Sequence, residues 1–130
     1  MTLAYTKVRE QFGRSIRTFQ VVQHALAELA GLVAATGMAV DAAALVDDRF
    51  AIACAKTYAS RSCERAAAIA HQLHGAIGLT REHQLQLYTR RLWSWRTEFG
   101  AETHWSSVLS DEIVRAGSDG AWRLISGSSV

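Results

Sequence analysis

The sequence has no proline and only two cysteines among its 130 residues. Without proline, nothing imposes the missing donor and ring clash that end a helix, so long helices are free to run. A Pro-rich linker or a collagen-like chain is excluded on the same ground. Cys54 and Cys63 are nine residues apart in one helical stretch. That spacing sets them on opposite faces, ~13 Å apart along the axis and beyond disulfide reach, so a reduced, cytoplasmic protein is expected. Charge of one sign is scarce too. Lys and Arg number 14 against 12 Asp and Glu, too slight an excess to draw nucleic acid by itself. No apolar run is expected to reach the length of a membrane span, and Lys7 and Arg9 interrupt the N-terminus before the apolar part of a leader could form. What the chain does have is apolar residues, 49% against 20% charged, which suits one folded domain and not a disordered segment.

The apolar residues follow helical spacing. Phe19, Val22, Leu26, Leu29 and Val33 recur at three and four, predicting a helix over 18–46, with Thr18 as its N-cap. Asp47-Asp48 breaks the pattern, and Asp48 is placed to cap a second, alanine-rich helix over 49–73. Gly75-Ala76-Ile77-Gly78-Leu79-Thr80 reads as a loop, followed by helices over 81–95 and 102–116. Leu3, Tyr5, Val8 and Phe12 look like the last turns of a helix whose beginning is missing. No stretch alternates β-branched and aromatic residues, so no strand is expected. The expectation is an all-α bundle of long antiparallel helices over 1–116, its first helix truncated, with a flexible Gly/Ser-rich tail over 117–130.

Few residues announce chemistry. His71 and His74 are three apart, with His83 and Cys63 near in sequence, but no third ligand has a metal-motif spacing; no metal site is expected. Neither cysteine has basic neighbours that favour a thiolate, and G-x-S-x-G is absent. Gly75-x-x-Gly78 resembles a phosphate loop only weakly, because it follows a helix C-terminus and phosphates prefer N-termini. Cations and aromatics interleave from Tyr88 to Arg96. Leu85, Tyr88, Leu92 and Trp95 share one helical face, so packing of those rings in the core is expected in place of a nucleic-acid or membrane surface.

Arg9-Glu10-Gln11-Phe12-Gly13, Phe19-Gln20, Ala55-Lys56, Gln72-Leu73-His74-Gly75-Ala76-Ile77-Gly78 and Arg90-Arg91 together resemble the C-terminal helical domain of acyl-CoA dehydrogenases. The resemblance covers residues 5–115 in order. It implies a helical bundle at the centre of a homo-oligomer, or of a hetero-oligomer with a chain carrying the remaining domains. It further implies that Arg9 and Gln11 contact the phosphates and ribose of FAD, with Phe12 near the adenine and Gln20 also on the cofactor side. Gln72, Leu73, His74, Gly75 and Ala76 match the segment along the ADP half, where Ala76 replaces a common glycine.

In many members a glutamate removes the α-proton of an acyl-CoA thioester while hydride passes from the β-carbon to the flavin. Here Phe99 takes that place, and the weaker catalytic candidate Glu98 sits one residue early, turned about 100° on a helix. The resemblance therefore implies part of an α,β-dehydrogenase, inactive on its own. The alternative expectation is a non-enzymatic helical scaffold that binds a partner protein.

Overall fold

The computed structural model describes residues 1–126. Five helices carry the chain: α1 (Thr2–Val8), α2 (Gln20–Val46), α3 (Arg49–His74), α4 (Leu85–Trp95) and α5 (Glu102–Ser126). Between α1 and α2 lie two short antiparallel strands, β1 (Glu10–Gln11) and β2 (Arg14–Ser15), paired Glu10 to Ser15 and Gln11 to Arg14. A 3-10 turn, Ile16–Thr18, leads from the ribbon into α2, and another, Gly75–Leu79, leaves α3.

The spine of the molecule is α3, which packs against α1, α2, α4 and α5. Its alanines make that possible. Ala53, Ala55, Ala67 and Ala70 are buried, and side chains this small let several helices approach one axis. Asp48 starts α3 as its sequence position predicts, its carboxylate accepting from the backbone N–H groups of Phe50 at 3.1 Å and Ala51 at 3.2 Å. Such a cap contributes about 1 kcal/mol. Asp47 just before it adopts the left-handed conformation (φ 50°) that turns the chain between α2 and α3.

Across the α2–α3 seam the inward residues include Val22, Leu26, Leu29, Leu32, Thr36, Ala39 and Ala43, buried or half-buried, at helical spacing. The stripe runs through Leu32; Val33 is 65% exposed. Arg65 on α3 grips Glu28 on α2 with two hydrogen bonds, the Nη2 to Oε2 distance being 2.7 Å. That bond holds the Glu28 carboxyl below its ordinary range. On the outward side of α2, Ala27, Gly31, Ala34, Met38 and Leu45 are exposed.

The structure corrects several expectations. Two strands exist where none was expected, because Phe12 (φ 55°) and Gly13 (φ 75°) reverse the chain in left-handed conformations, which suits a tight hairpin. Phe12 is thus a turn residue, and α1 ends at Val8. Thr18 does not cap α2. Its hydroxyl donates to the Ser15 carbonyl at 2.7 Å, and Phe19 occupies the cap position without a side-chain bond. The helix expected from residue 81 begins at Leu85, because the His83 imidazole accepts from the Leu85 N–H at 3.1 Å and the Gln86 amide donates to the Thr80 carbonyl at 3.2 Å, fastening a turn over 80–84.

Tyr88 and Trp95 are 58% and 47% exposed, so only Leu85 of their shared face is fully buried. The helix expected to stop at 116 breaks at Gly117 (φ 70°) but resumes as far as Ser126, where a flexible tail was expected; residues 127–130 of that tail lie outside the described residues. Finally, α2 is long and apolar enough, by length and composition, to cross a membrane. Valine, leucine and alanine between widely spaced polar residues produce that property, which the expectation of no span-length run had missed.

Candidate functional site

The residues singled out in the sequence fall into three places. The first is the hairpin at the start of α2. Arg9, Gln11, Phe12 and Gln20 are all exposed, and Phe12 at the tip is 92% exposed. The Phe12 ring meets Phe19 edge-on at 6.2 Å between centroids, while the Arg14 guanidinium sits over Phe19 at 4.3 Å. Phe19 thus carries the hairpin on one side and opens α2 at Gln20 on the other. The base is fastened to α1, with the Ser15 hydroxyl donating to the Thr6 carbonyl at 2.8 Å and the Arg9 N–H to the Tyr5 carbonyl at 2.9 Å. Among the described residues, no carboxylate pairs with Arg9 or Arg14.

The second place is the end of α3. Gln72, Gly75 and Ala76 are exposed and Leu73 is half-buried, but His74 is turned inward and is 4% exposed. Its ring stacks on Tyr5 of α1 at 4.3 Å and 21°, and His83 meets it edge-on at 4.9 Å. The imidazole is therefore occupied in packing and offers no face to a ligand. Burial pushes its pKa down, with the Ala70 carbonyl opposing that and the charges of His83, His71 and the N-terminal amine adding to it.

Gly75 has φ 62° and ψ −147°, a conformation for which glycine is suited, and its N–H donates to the His71 carbonyl. That amide closes the helix and is not open to a phosphate. Gly78 serves packing instead. A Cβ there would stand 2.9 Å from the His74 Cβ and 3.0 Å from the Leu85 Cδ2. Gly78→Ala is expected to cost about 1–3 kcal/mol through overpacking, read as a lowered denaturant midpoint with an unchanged slope.

The third place is the turn after α4. Glu98 is exposed and accepts from the Ser94 hydroxyl at 2.9 Å. Phe99 beside it has φ 60° and is 92% exposed, and Gly100 has φ 107°. A Cβ at Gly100 would lie 2.7 Å from the Trp105 Nε1, whose N–H donates to the Phe99 carbonyl at 3.0 Å. Behind the turn, Arg96 pairs with Glu64 at 2.8 Å and lies over Trp93 at 4.6 Å, and Arg61 pairs with Glu102 at 2.7 Å. Glu98 is separated from the end of α3 by the whole of α4, ~16 Å at 1.5 Å per residue.

Sequence reasoning missed Arg14 and the role of Tyr5, and weighed His83 only as a metal ligand. Arg14 is placed across the ribbon from Gln11 by the Phe12-Gly13 turn, which has no local signal. Nothing local signals Tyr5, which meets His74 from 69 residues away.

An exposed aromatic ring beside unpaired guanidinium and amide groups is a donor set that fits an anionic dinucleotide. Arg forks match phosphate oxygens, and a bare ring offers a plate for a base. The hairpin and Gln20 pass this test; the His74 ring and the Gly75 amide do not.

Comparison with known proteins gives the family. The family described as acyl-CoA dehydrogenase, C-terminal domain, matches residues 1–109. The chain is 40% identical over 91 residues to the acyl-CoA dehydrogenase IpdE2 of Mycobacterium tuberculosis and 37% identical to that of Mycolicibacterium smegmatis, covering 70% of this chain each time. It spans 29% of the length of these relatives. Among solved structures, the ChsE4–ChsE5 complex of Mycobacterium tuberculosis superposes with a TM-score of 0.84 at 25% identity, over 91% of this chain and 34% of that one.

Proposed function

The chain belongs to the acyl-CoA dehydrogenase family, by its C-terminal helical domain, and on that footing we propose that it supplies oligomer contacts and part of the FAD site of an acyl-CoA dehydrogenase. The reaction proposed for the whole assembly is α,β-dehydrogenation of an acyl-CoA thioester, for which bound FAD supplies the hydride acceptor. The observation that carries this reading is the exposed hairpin, which presents Arg9, Gln11 and Phe12 beside Gln20 at the head of α2.

In this reading Arg9 holds a phosphate oxygen pair, Gln11 and Gln20 bond the sugar-phosphate edge, and Phe12 lies against the base. Gln72, Leu73, Gly75 and Ala76 border the same cofactor through their exposed surface. Glu98 is the carboxylate this chain offers for proton removal. It stands in solvent, and general-base work needs it within hydrogen-bond reach of a held substrate, which assigns enclosure of the thioester to other domains. The outward side of α2 fits contact with a second copy or with a related subunit, and the ChsE4–ChsE5 complex supports an assembly with a related subunit. The half-buried free thiols Cys54 and Cys63, their pKa values raised chiefly by burial, suit a reducing cytoplasmic setting.

Gel filtration of the chain after incubation with FAD tests the proposal, read by visible flavin absorbance. Flavin eluting with an oligomer is the expected result. An oligomer that emerges colourless, and stays so when flavin is in excess, would reduce the chain to a scaffold.

A further inference from the structure

His74 is buried in a setting that disfavours its charged form. Its Nδ1 lies 2.7 Å from the Ala70 carbonyl. A carbonyl can only accept, so Nδ1 carries the hydrogen and Nε2 holds a bare lone pair. Among the described residues, that Nε2 is buried without a partner. Every element packed around the ring presents a neutral or potentially cationic group: Tyr5 on α1, His71 on α3 itself, His83 in the turn before α4, and the N-terminal amine at the start of α1. No carboxylate is among them. A proton on Nε2 would create a buried cation with no acceptor, which is costly unless the ring reaches water.

What the ring holds is specific. Tyr5 stacks on it and also donates its hydroxyl to the His74 carbonyl at 3.3 Å. Tyr5 lies in the middle of α1, and α1 carries the hairpin through the bonds from Arg9 to Tyr5 and from Ser15 to Thr6.

We propose that the Tyr5–His74 stack is an acid-released latch, which holds α1 and its hairpin against the end of α3 while the imidazole is neutral. The consequence for flavin retention rests on the cofactor reading of the hairpin; the latch itself does not. A ring held below its ordinary pKa favours the closed form fully above the unfolded value of about 6.5, and loses that advantage as pH falls from there toward the closed-state pKa. Over that window the opening equilibrium grows about tenfold per pH unit.

Hydrogen exchange of the Tyr5 and Arg9 amides, corrected for intrinsic rate and referred to the middle of α3, reads the latch without flavin. Between about pH 8 and about pH 5, a range in which histidine titrates, their relative protection should fall by up to about thirtyfold. His74→Phe keeps a ring for the stack and should remove this pH dependence; His83→Gln should leave it. In the unmodified protein, the His74 ring titration followed by NMR should lie at the low-pH end of the exchange change, which keeps the test decisive where a variant does not fold. Unchanged protection across the range overturns the latch. So does an identical midpoint in His74→Phe, or a pH dependence that disappears in His83→Gln. Failure here with flavin still co-eluting would remove the latch alone.

Discussion

Exchanging Met38 and Leu45 together for glutamate is expected to weaken self-association, or association with a related subunit, by at least about a hundredfold. The two side chains are 74% and 86% exposed and stand seven residues apart on the side of α2 turned from α3, two turns along one stripe. Burying a methionine or leucine yields about 1.5–3 kcal/mol each, and every 1.4 kcal/mol is about tenfold in a dissociation constant. In a two-fold assembly each change is counted on both copies. Neither residue is in the α2–α3 seam, so helical content should stay as it was. Light scattering over a dilution series checks the effect, and an unchanged mass at every concentration would put the contact elsewhere on the molecule.

Arg9→Ala is expected to weaken flavin binding by about 10–100-fold, the range that a hydrogen bond to a charged group of about 1.5–3 kcal/mol implies. Arg9→Lys should fall between, because it keeps the charge but loses the two-pronged geometry that matches a phosphate. A fluorescence titration with FAD on the oligomer measures both. The side chain is exposed and has no ion pair among the described residues, so thermal stability should be nearly unaffected, which separates a binding loss from unfolding. Equal affinities for the three proteins would remove Arg9 from the cofactor site.

The long helices were legible because their signals are local. The spacing of Val22, Leu26 and Leu29 marks the inner face of α2, and the Asp47-Asp48 pair carries both the left-handed turn and the cap of α3. The hairpin was not legible. Its strands are two residues each, too short to show alternation, and Phe-Gly is not among the residue pairs that favour a turn with two positive φ angles.

Gly117 marked a true break, but nothing beyond it forbids a helix, since proline is absent. His74 is the instructive case within the site. Its sequence neighbours suggest a ligand loop, whereas its surroundings are set by Tyr5 and His83, which only the folded chain brings to it. The exposure of Tyr88 was hidden for a related reason: a shared helical face says which residues lie together, not whether anything covers them.

The tip of the hairpin sets stability against recognition. A left-handed backbone costs a residue with a Cβ roughly 1–2 kcal/mol, and a two-stranded ribbon is marginal in water by itself. Glycine or asparagine at position 12 would relieve that backbone and strengthen the chain, yet would remove the ring held out 92% exposed to solvent. Selection for robustness alone would not keep phenylalanine there. Variants chosen only for heat resistance should therefore drift first at this position, and they would gain durability as they lose the aromatic plate.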